Sequence, residues 1–520
     1  MNKITIFLFC TLLTSGLWSQ KQLYIGSGTD VTLGPSVGVY AGHNVTIEGT
    51  LTATSNATKS ASFIATFGTV VGNITYKRYL PATGASWNHV APPVGAGTQD
   101  VQTFVLDANN AIRTNPTTGN YAVATWKSEN AVNKRWTYHN EAPTSGVVNQ
   151  QTLGNFVNGQ VYTTSRTGAG TYTFTGAMAT TDVTKAIGGA GSNWTLIGNP
   201  YPSFLSASAV YTANASVLDA SAAGLYLWNP EGEGSWTVFN AASTDQQLHP
   251  GKGFFVKAKT GAMATTTQDF VFSEALQTAQ GTTDAFFRTT PQQKVVVNLT
   301  SATGSATTTL KYFSNTTQGF DLGWDATSFD GETTSFSIDT HLVADSEGVN
   351  YTLQCLNDSA YEDAPIALAV KAGANEEITF SALASNLPAD MDVYLEDKLN
   401  NTIQKINDAS YTVLLTAAIE GIGNFYLHTS RTTLKTEELL PTVSTLTAYT
   451  TNNTNLRITG FTTPGGAVLK MHNTLGQQVF AHDFTIQNVN DIALPSVRTG
   501  VYIVQVGNGV ETLTKKIVLE

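Results

Sequence analysis

Short runs of alternating apolar and polar residues, interrupted by glycine, recur from residue 22 to the end of the chain. Two examples are residues 294–299 (KVVVNL) and residues 501–506 (VYIVQV). Alternation with a period of two is typical of β-strands, whose successive side chains point to opposite faces. The polar positions hold mostly Thr, Ser and Asn, and only 12% of residues are charged, whereas exposed helix faces usually carry Glu, Lys, Arg and Gln. The pattern therefore predicts an all-β protein.

The length and the charge restrict the architecture and the partners. A chain of 520 residues exceeds one hydrophobic core, because domains usually hold roughly 100–200 residues. We therefore expect a multi-domain chain of β-sandwich and β-meander modules. The aromatic content of 10% is too high for a disordered protein. The formal net charge of −11 offers no electrostatic reason to bind nucleic acid or an anionic membrane.

The first 20 residues predict a secretory signal peptide. Lys3 gives a positive start, residues 4–13 (ITIFLFCTLL) form a short apolar run, and cleavage is expected between Gln20 and Lys21. No later segment is long and apolar enough to predict a transmembrane helix. Beyond the signal peptide Cys355 is the single cysteine, which excludes an intramolecular disulfide. It is expected to be a small buried apolar side chain and not a nucleophile.

Two β-rich regions follow the signal peptide. Residues 21–80 predict short strands separated by glycine, as in a small β-solenoid or a meander. Residues 81–290 contain what looks like an internal duplication, because Trp87, Trp126 and Trp136 recur in the same order as Trp194, Trp228 and Trp236. Chance recurrence of tryptophan in a β-rich chain is the alternative explanation.

Four of these tryptophans are candidate ligand-stacking residues: Trp126, Trp136, Trp228 and Trp236. Indole faces stack on sugar rings, so the four side chains suggest carbohydrate binding. Large aromatic residues also supply much of the apolar burial in small β-modules. Their position beside apolar strand residues favours this framework role over ligand binding.

Residues 291–432 predict a β-sandwich, since strand-like runs alternate with turns about every 8–12 residues. Its acidic residues Asp321, Asp325, Asp330 and Glu332 are oxygen donors of the kind that calcium prefers, but their spacing lacks the EF-hand pattern. We expect them to be solvated loop carboxylates. Residues 433–445 predict a linker into a terminal module.

Residues 446–520 hold six or seven strand-like runs and turns, which predict a small Ig-like β-sandwich. This module resembles the type A C-terminal sorting domain of Bacteroidota proteins exported by the type IX (Por) secretion system. The resemblance implies handling by the type IX machinery and export through the periplasm and outer membrane, followed by release or surface attachment. The usual Tyr-Pro-Asn-Pro opening is replaced by residues 449–453 (YTTNN), so the first strand is not defined by sequence. The matching motif residues are Gly476, Gln477, Gly500, Val501, Tyr502, Lys515 and Lys516.

The sequence contains no recognisable catalytic motif. Its eight histidines are scattered without an H-E-x-x-H pair or a Cys/His metal spacing, and no P-loop is present. We therefore predict no catalytic residue, no cofactor and no metal ligand. The expected function is that of a non-enzymatic, adhesin-like or structural protein, secreted or on the cell surface. The alternative is a carbohydrate-binding or carbohydrate-degrading protein, with surface polysaccharide or glycans as partners.

Overall fold

The computed structural model describes residues 22–65, 68–81, 87–189, 191–229, 235–243, 246–260, 266–279, 292–344, 346–359, 361–362, 365–431, 446–452 and 454–519. The predicted signal peptide with Gln20 and Lys21 and the predicted linker at residues 433–445 lie outside this part of the chain. Two compact units are present: the first comprises residues 1–288 and 329–333, and the second comprises residues 289–328 and 334–520.

The first strands of the chain pair in parallel as rungs of a three-sided solenoid. Strand β4 lies between β1 and β7, β5 lies between β2 and β8, and β3 pairs with β6. Apolar residues from valine to phenylalanine fill the interior, among them Val45, Leu51 and Phe63. The strands are β1 Leu23–Ile25, β2 Asp30–Leu33, β3 Gly38–Tyr40, β4 Val45–Ile47, β5 Thr50–Thr54, β6 Ser62–Ile64, β7 Val70–Val71 and β8 Ile74–Leu80.

Strand β8 joins the solenoid to the next module. It pairs in parallel with β5 and antiparallel with a later strand, β14, over seven residues. One apolar cluster accordingly runs from Ile25 to Met178. The core therefore continues across residue 80, where the sequence predicted a boundary. The elements of this module are β9 Asn88–Val90, α1 Val101–Leu106, β10 Val123–Trp126, β11 Trp136–His139, β12 Gln150–Gln151, β13 Tyr162–Thr164 and β14 Gly170–Gly176, with a 3₁₀ turn at Ala108–Asn110.

A second module of similar composition completes the first unit. Its apolar core contains Tyr201, whose hydroxyl donates to the carbonyls of Thr181 and Phe272. The elements are β15 Val183–Gly188, β16 Trp194–Gly198, β17 Phe204–Ser206, α2 Ala207–Asn214, β18 Leu225–Asn229, β19 Ser235–Phe239, β20 Gln247–Leu248, β21 Gly253–Lys257, β22 Thr267–Phe272 and β23 Gln277–Thr278, with 3₁₀ turns at Ala215–Val217 and Glu274–Leu276.

The two modules have the same strand order. Strands β11, β10, β13 and β9 are neighbours in one sheet, and β19, β18, β21 and β16 follow that order in the other. In each module a short helix with a side-chain N-cap precedes the central hairpin, Asp100 capping α1 and Ser206 capping α2. Strands β8 and β14 pair antiparallel around the first module, as β15 and β22 do around the second.

The second unit begins with one mixed sheet that curls around its own core. The sheet has eleven strands, and buried residues from both halves of it, such as Val297, Phe380 and Leu427, belong to one cluster. Its strands form one continuous sheet in the part of the chain predicted to be a β-sandwich. The strands are β24 Lys294–Thr300, β25 Ser305–Phe313, β26 Ala326–Thr327, β27 Ser337–Thr340, β28 Tyr351–Asn357, β29 Ile366–Ala372, β30 Glu376–Ser385, β31 Asp392–Asp397, β32 Thr402–Lys405, β33 Tyr411–Leu415 and β34 Ile419–Ser430.

Asp325 lies inside this curled sheet, so the expectation of a solvated loop carboxylate is wrong for it. Its side chain is fully buried and accepts hydrogen bonds from the backbone N–H groups of Cys355 and Asp321, each at 2.6 Å. Burial raises the pKa of Asp325 to about 7, although both hydrogen bonds favour the charged form. Cys355 is buried and free, and burial raises its pKa. Its thiol is therefore a poor nucleophile.

Residues 446–519 form a small sandwich of a three-stranded and a four-stranded sheet. Leu456, Leu469 and Val504 are fully buried between the sheets. The predicted all-β, multi-domain fold is confirmed. No helix among the described residues is long and apolar enough to cross a membrane. The strands are β35 Thr447–Asn452, β36 Asn455–Thr459, β37 Gly466–Asn473, β38 Gln478–Thr485, β39 Val489–Ala493, β40 Gly500–Gly507 and β41 Thr512–Leu519.

The solenoid predicts a difference between two of its glycines. Both Gly28 and Gly72 have positive φ, but a Cβ at Gly72 would clash with the carbonyl oxygen of Ile47, while a Cβ at Gly28 would meet nothing within 4 Å. We expect Gly28→Ala to cost about 1–2 kcal/mol of folding free energy through backbone strain alone. Gly72→Ala should cost clearly more, as measured by calorimetric unfolding of the purified protein. Equal costs would contradict the close packing of the rungs.

Candidate functional site

The four candidate tryptophans lie on two equivalent hairpins. Trp126 on β10 is directly opposite Trp136 on β11, and Trp228 on β18 is directly opposite Trp236 on β19. Side chains opposite each other on an antiparallel pair project from the same face of the sheet. The ring centroids are accordingly 5.0 Å apart in the first pair and 5.1 Å apart in the second.

The two hairpins meet around two phenylalanines. Phe255 on β21 contacts Trp126 with ring centroids 4.9 Å apart, and Phe329 contacts Trp236 at 4.5 Å. Phe329 belongs to the first unit although it comes from residues 329–333. No local pattern marks Phe329, because its ring partners come from residues 126–255. The aromatic cluster is defined here as Trp126, Trp136, Trp194, Trp228, Trp236, Phe255 and Phe329.

The aromatic cluster is packed as a protein interior. Trp126 is 7% exposed and its indole N–H donates to the carbonyl of Trp194 at 3.0 Å. The indole planes are inclined by 71° between Trp126 and Trp136 and by 60° between Trp228 and Trp236. A sugar-binding platform instead needs an exposed, roughly parallel face. The Trp126–Trp136 pair has the edge-to-face arrangement preferred by aromatic pairs in cores, and the Trp228–Trp236 pair is tilted.

The 329–333 segment also supplies polar contacts to the cluster. The indole N–H of Trp194 donates to Asp330, which forms an ion pair with Lys257 at 3.0 Å. Glu332 accepts a hydrogen bond from the backbone N–H of Asn133 at 3.1 Å. Asp330 and Glu332, considered in the sequence as candidate calcium ligands, therefore each bind protein groups. Among the residues that the structure describes, no group of three or more His, Cys, Asp or Glu side chains has metal-binding geometry.

His89 lies beside the aromatic cluster. Its ring is 5.5 Å from Phe255 and 5.8 Å from Trp136, and the residue is 7% exposed. Burial, together with the nearby charge of Lys252, lowers the pKa of His89 to about 3. The imidazole is therefore neutral at physiological pH.

The sorting-domain motif around Gly476 forms the turn between β37 and β38. Gly476 has a φ of +79°, which a glycine adopts without strain. The side-chain oxygen of Asn473 accepts hydrogen bonds from the N–H groups of Leu475 and Gln477, each at 3.0 Å. Gln477 is exposed, and Leu475 at the tip is 83% exposed. The turn thus presents an apolar and an amide side chain to solvent on a rigid backbone.

The second motif alternates between the core and the surface along β40. Gly500 begins the strand, Val501 is exposed and Tyr502 is buried. The hydroxyl of Tyr502 donates to the carbonyl of Arg498 at 2.6 Å, which anchors the start of the strand. On the outer face Val501 lies opposite Val518 of β41. Tyr502 therefore acts on folding, whereas Val501 is available to a partner.

The two lysines of the third motif point in different directions. Lys516 is exposed on β41, and Lys515 donates a hydrogen bond to the carbonyl of Ser346 within the second unit. Tyr449 of β35 is also buried there, against Ala369 and Ile422. The first strand of the sorting domain, undefined by sequence, is therefore β35, and Tyr449 packs it against the curled sheet.

Comparison with known proteins identifies two regions of the chain. A family model described as a secretion system C-terminal sorting domain matches residues 450–520. The type IX resemblance is thereby confirmed, and the sorting domain directs export through the periplasm and outer membrane to the cell surface or the extracellular space. A model described as a domain of unknown function (DUF8693) matches residues 231–424.

Comparison with curated proteins and with solved structures adds no functional argument. No curated protein matches the sequence. A solved structure with distant similarity is the dimeric latent PorU of Porphyromonas gingivalis, with 10% sequence identity and a TM-score of 0.15. The similarity covers 48% of this chain and 31% of that chain. So low a score does not establish a shared fold.

The packing of the aromatic cluster predicts unequal effects of two tryptophan substitutions. Trp126→Ala removes a buried ring and leaves the carbonyl of Trp194 without its donor, so we expect a loss of about 3–5 kcal/mol in unfolding free energy. Trp228 is partly exposed and contacts Trp236, so Trp228→Ala should cost less. Urea unfolding followed by fluorescence measures both. If Trp126→Ala lost less unfolding free energy than Trp228→Ala, the framework role would be contradicted.

The sorting domain predicts a localisation change on truncation. Deletion of residues 446–520 should leave the protein in the periplasm, because the segment that the type IX machinery handles is absent. Immunoblots of periplasmic, surface and medium fractions measure the distribution. The matched control is Val510→Ser, an exposed position in the turn between β40 and β41, which should be exported normally. Export of the truncated protein at the full-length level would contradict the assignment of the sorting role.

Proposed function

We propose that this exported protein is a non-enzymatic structural or adhesin-like component of the cell surface or the extracellular matrix. The packing of the aromatic cluster carries the proposal. Of the candidate ligand-stacking residues, Trp126 and Trp136 are edge-to-face partners of each other and of Phe255. These contacts hold two sheets together. A rigid assembly of β-modules, sorted to the surface, suits a protein whose role is to present faces to other molecules.

We also infer that the two Trp-bearing modules are copies of one unit. The strand register supports this. The pair Trp126–Trp136 in the hairpin of the first module corresponds to the pair Trp228–Trp236 in the hairpin of the second, and the strand orders agree. The contacts between the modules are reciprocal as well. The N–H of Ala91 donates to Gly251, and the N–H of Gly198 donates to Gly159. In the alignment of the modules Ala91 corresponds to Gly198 and Gly251 to Gly159, so the two copies are related by an approximate twofold axis.

Carbohydrate binding is the second candidate function. One observation favours it: Trp136, Trp228 and Trp236 keep part of their surface exposed, in contrast to Trp126 and Trp194. A sugar ring needs contact with only one indole face. These three positions are therefore where a glycan would bind if the protein recognises one.

A panel of polysaccharides tests the proposed function against both alternatives. The purified chain should show neither turnover in reducing-sugar assays nor saturable binding of neutral polysaccharides on a glycan array. Binding that is lost in Trp136→Ala and Trp236→Ala, but kept in the control Trp87→Ala, would replace the proposal with carbohydrate binding. Turnover that a single Asp→Asn or Glu→Gln substitution abolishes would replace it with a hydrolase.

A further inference from the structure

Four basic side chains of the first unit lie close to one another: Arg78, His89, His249 and Lys252. They are called the basic cluster below. Arg78 is on β8, on the same face as the buried Tyr76 and Leu80, and thus points toward the core. His249 and Lys252 belong to the turn between β20 and β21, and His89 is on β9. Lys252 forms a β-bridge with Val90, the residue next to His89. Burial lowers the pKa of His249 and Lys252 most, and the charge of Arg78 is the next cause for both.

The hydrogen bonds of the basic cluster are incomplete. Lys252 Nζ donates to the carbonyl of Trp228 at 3.2 Å. Within the described part of the chain, Arg78 donates no side-chain hydrogen bond, and its Nε is enclosed without a partner. His89 Nδ1 is enclosed without a partner as well. No carboxylate among the described residues forms an ion pair with any of the four groups.

The buried Arg166 of the same unit shows, by comparison, how few hydrogen-bond partners Arg78 has. The guanidinium of Arg166 donates to four backbone carbonyls, and its charge lies 5.1 Å from the ring of Tyr172. Buried cations are normally satisfied in this way, because an unpaired one loses the hydration that it has in water. The four acceptors of Arg166 are the carbonyl oxygens of Gly168, Asn110, Thr171 and Asn109.

The positive charge of the basic cluster at pH 7 comes from Arg78 and Lys252, and its histidines are neutral. Burial lowers the pKa of His89 to about 3 and that of His249 to about 4, so both rings are neutral at pH 7. Burial also lowers the pKa of Lys252 to about 8, which leaves the ammonium mostly protonated at pH 7. Arg78 keeps its charge because a guanidinium does not deprotonate in proteins. Two positive charges thus stand together in a chain whose formal net charge is −11.

A small ligand can reach these charges. Arg78, His249 and Lys252 are each partly exposed, although Arg78 Nε is enclosed. A guanidinium presents a planar fork of donors that matches two oxygens of a carboxylate, sulfate or phosphate, and an ammonium adds a point charge. We propose that Arg78, Lys252 and His249 form a binding site for an oxyanion, either a free ion or an acidic group on a larger molecule such as a polysaccharide.

We expect the affinity for the anion to depend on pH, in part through protonation of His249. The groups that act on its ring are Arg78 from β8 and Lys252 from the same turn, and Phe204 packs 5.0 Å from it. A bound anion offsets the two positive charges and raises the pKa of His249. Anion binding is therefore coupled to proton uptake, and the affinity rises as the pH falls from the raised pKa of His249 in the complex toward about 4, its pKa without the anion. Lys252, whose pKa is about 8 without the anion, acts in the same direction between pH 8 and pH 5.5.

Isothermal titration calorimetry of the full chain tests the site with three probes: sodium sulfate, sodium phosphate and sodium glucuronate. Ionic strength is held constant with sodium chloride. We expect saturable binding of at least one probe, with higher affinity at pH 5.5 than at pH 8. Binding of glucuronate in preference to the inorganic ions would indicate an acidic sugar as the source of the anion, and the reverse would indicate a free ion. No saturable binding of any probe overturns the proposal.

Substitutions at neighbouring positions of β8 provide the control. Arg78→Gln and Lys252→Met should each weaken binding at least about tenfold, as expected for loss of one charge-assisted hydrogen bond. Arg78→Lys keeps the charge without the fork and should have an intermediate effect. Lys77→Gln changes an exposed residue on the opposite face of the strand and should leave the affinity unchanged. Equal weakening by Lys77→Gln and Arg78→Gln, or no effect of Arg78→Gln in a protein of unchanged circular dichroism, overturns the proposal.

Discussion

Edge-to-face contacts between aromatic rings hold the two Trp-bearing sheets of the first unit together. They do so in a chain whose one cysteine beyond residue 20, Cys355, is buried and free, so that disulfides do not restrain the unfolded state as they do in many exported proteins. Each such ring pair contributes about 0.5–1.5 kcal/mol beyond its buried area. Phe255 contacts Trp126, Trp136 and Trp236, so the stability of both sheets depends on one ring.

The alternation of apolar and polar residues was sufficient to predict the strands and the small terminal sandwich, because these depend on local spacing. It was insufficient where distant segments meet. Strand β8 pairs with both β5 and β14, and Phe329 reaches the aromatic cluster from residues 329–333. The burial of Asp325 was equally hidden, since the N–H donors that satisfy it come from Cys355 and Asp321. None of these contacts has a signature within a few residues of its members.

The sorting motifs combine two physical roles that their sequence does not separate. Gly476 and Tyr502 shape the backbone, one through a positive φ and the other through a buried ring with a hydrogen-bonded hydroxyl. Gln477, Val501 and Lys516 project from the same framework into solvent. Only exposed side chains can be contacted by the export machinery while the domain stays folded. The exposed motif residues lie on the outer face of β40 and β41 and in the turn at Gly476, and the buried motif residues hold this framework in place.

The basic cluster brings positive charges together in a protein whose formal net charge is −11. Acidic residues predominate in the sequence, yet Arg78 and His89 of the first unit each enclose a side-chain nitrogen that has no partner. Arg78 is on β8, the strand that connects the solenoid to the first Trp-bearing module, and Lys252 donates to the carbonyl of Trp228 in the second. An anion bound between them would contact elements of all three parts at once. Because a ligand that binds only the folded state stabilises it more as its concentration exceeds its Kd, such an anion would strengthen the attachment of the solenoid to the modules, which otherwise rests on strand pairing and packing.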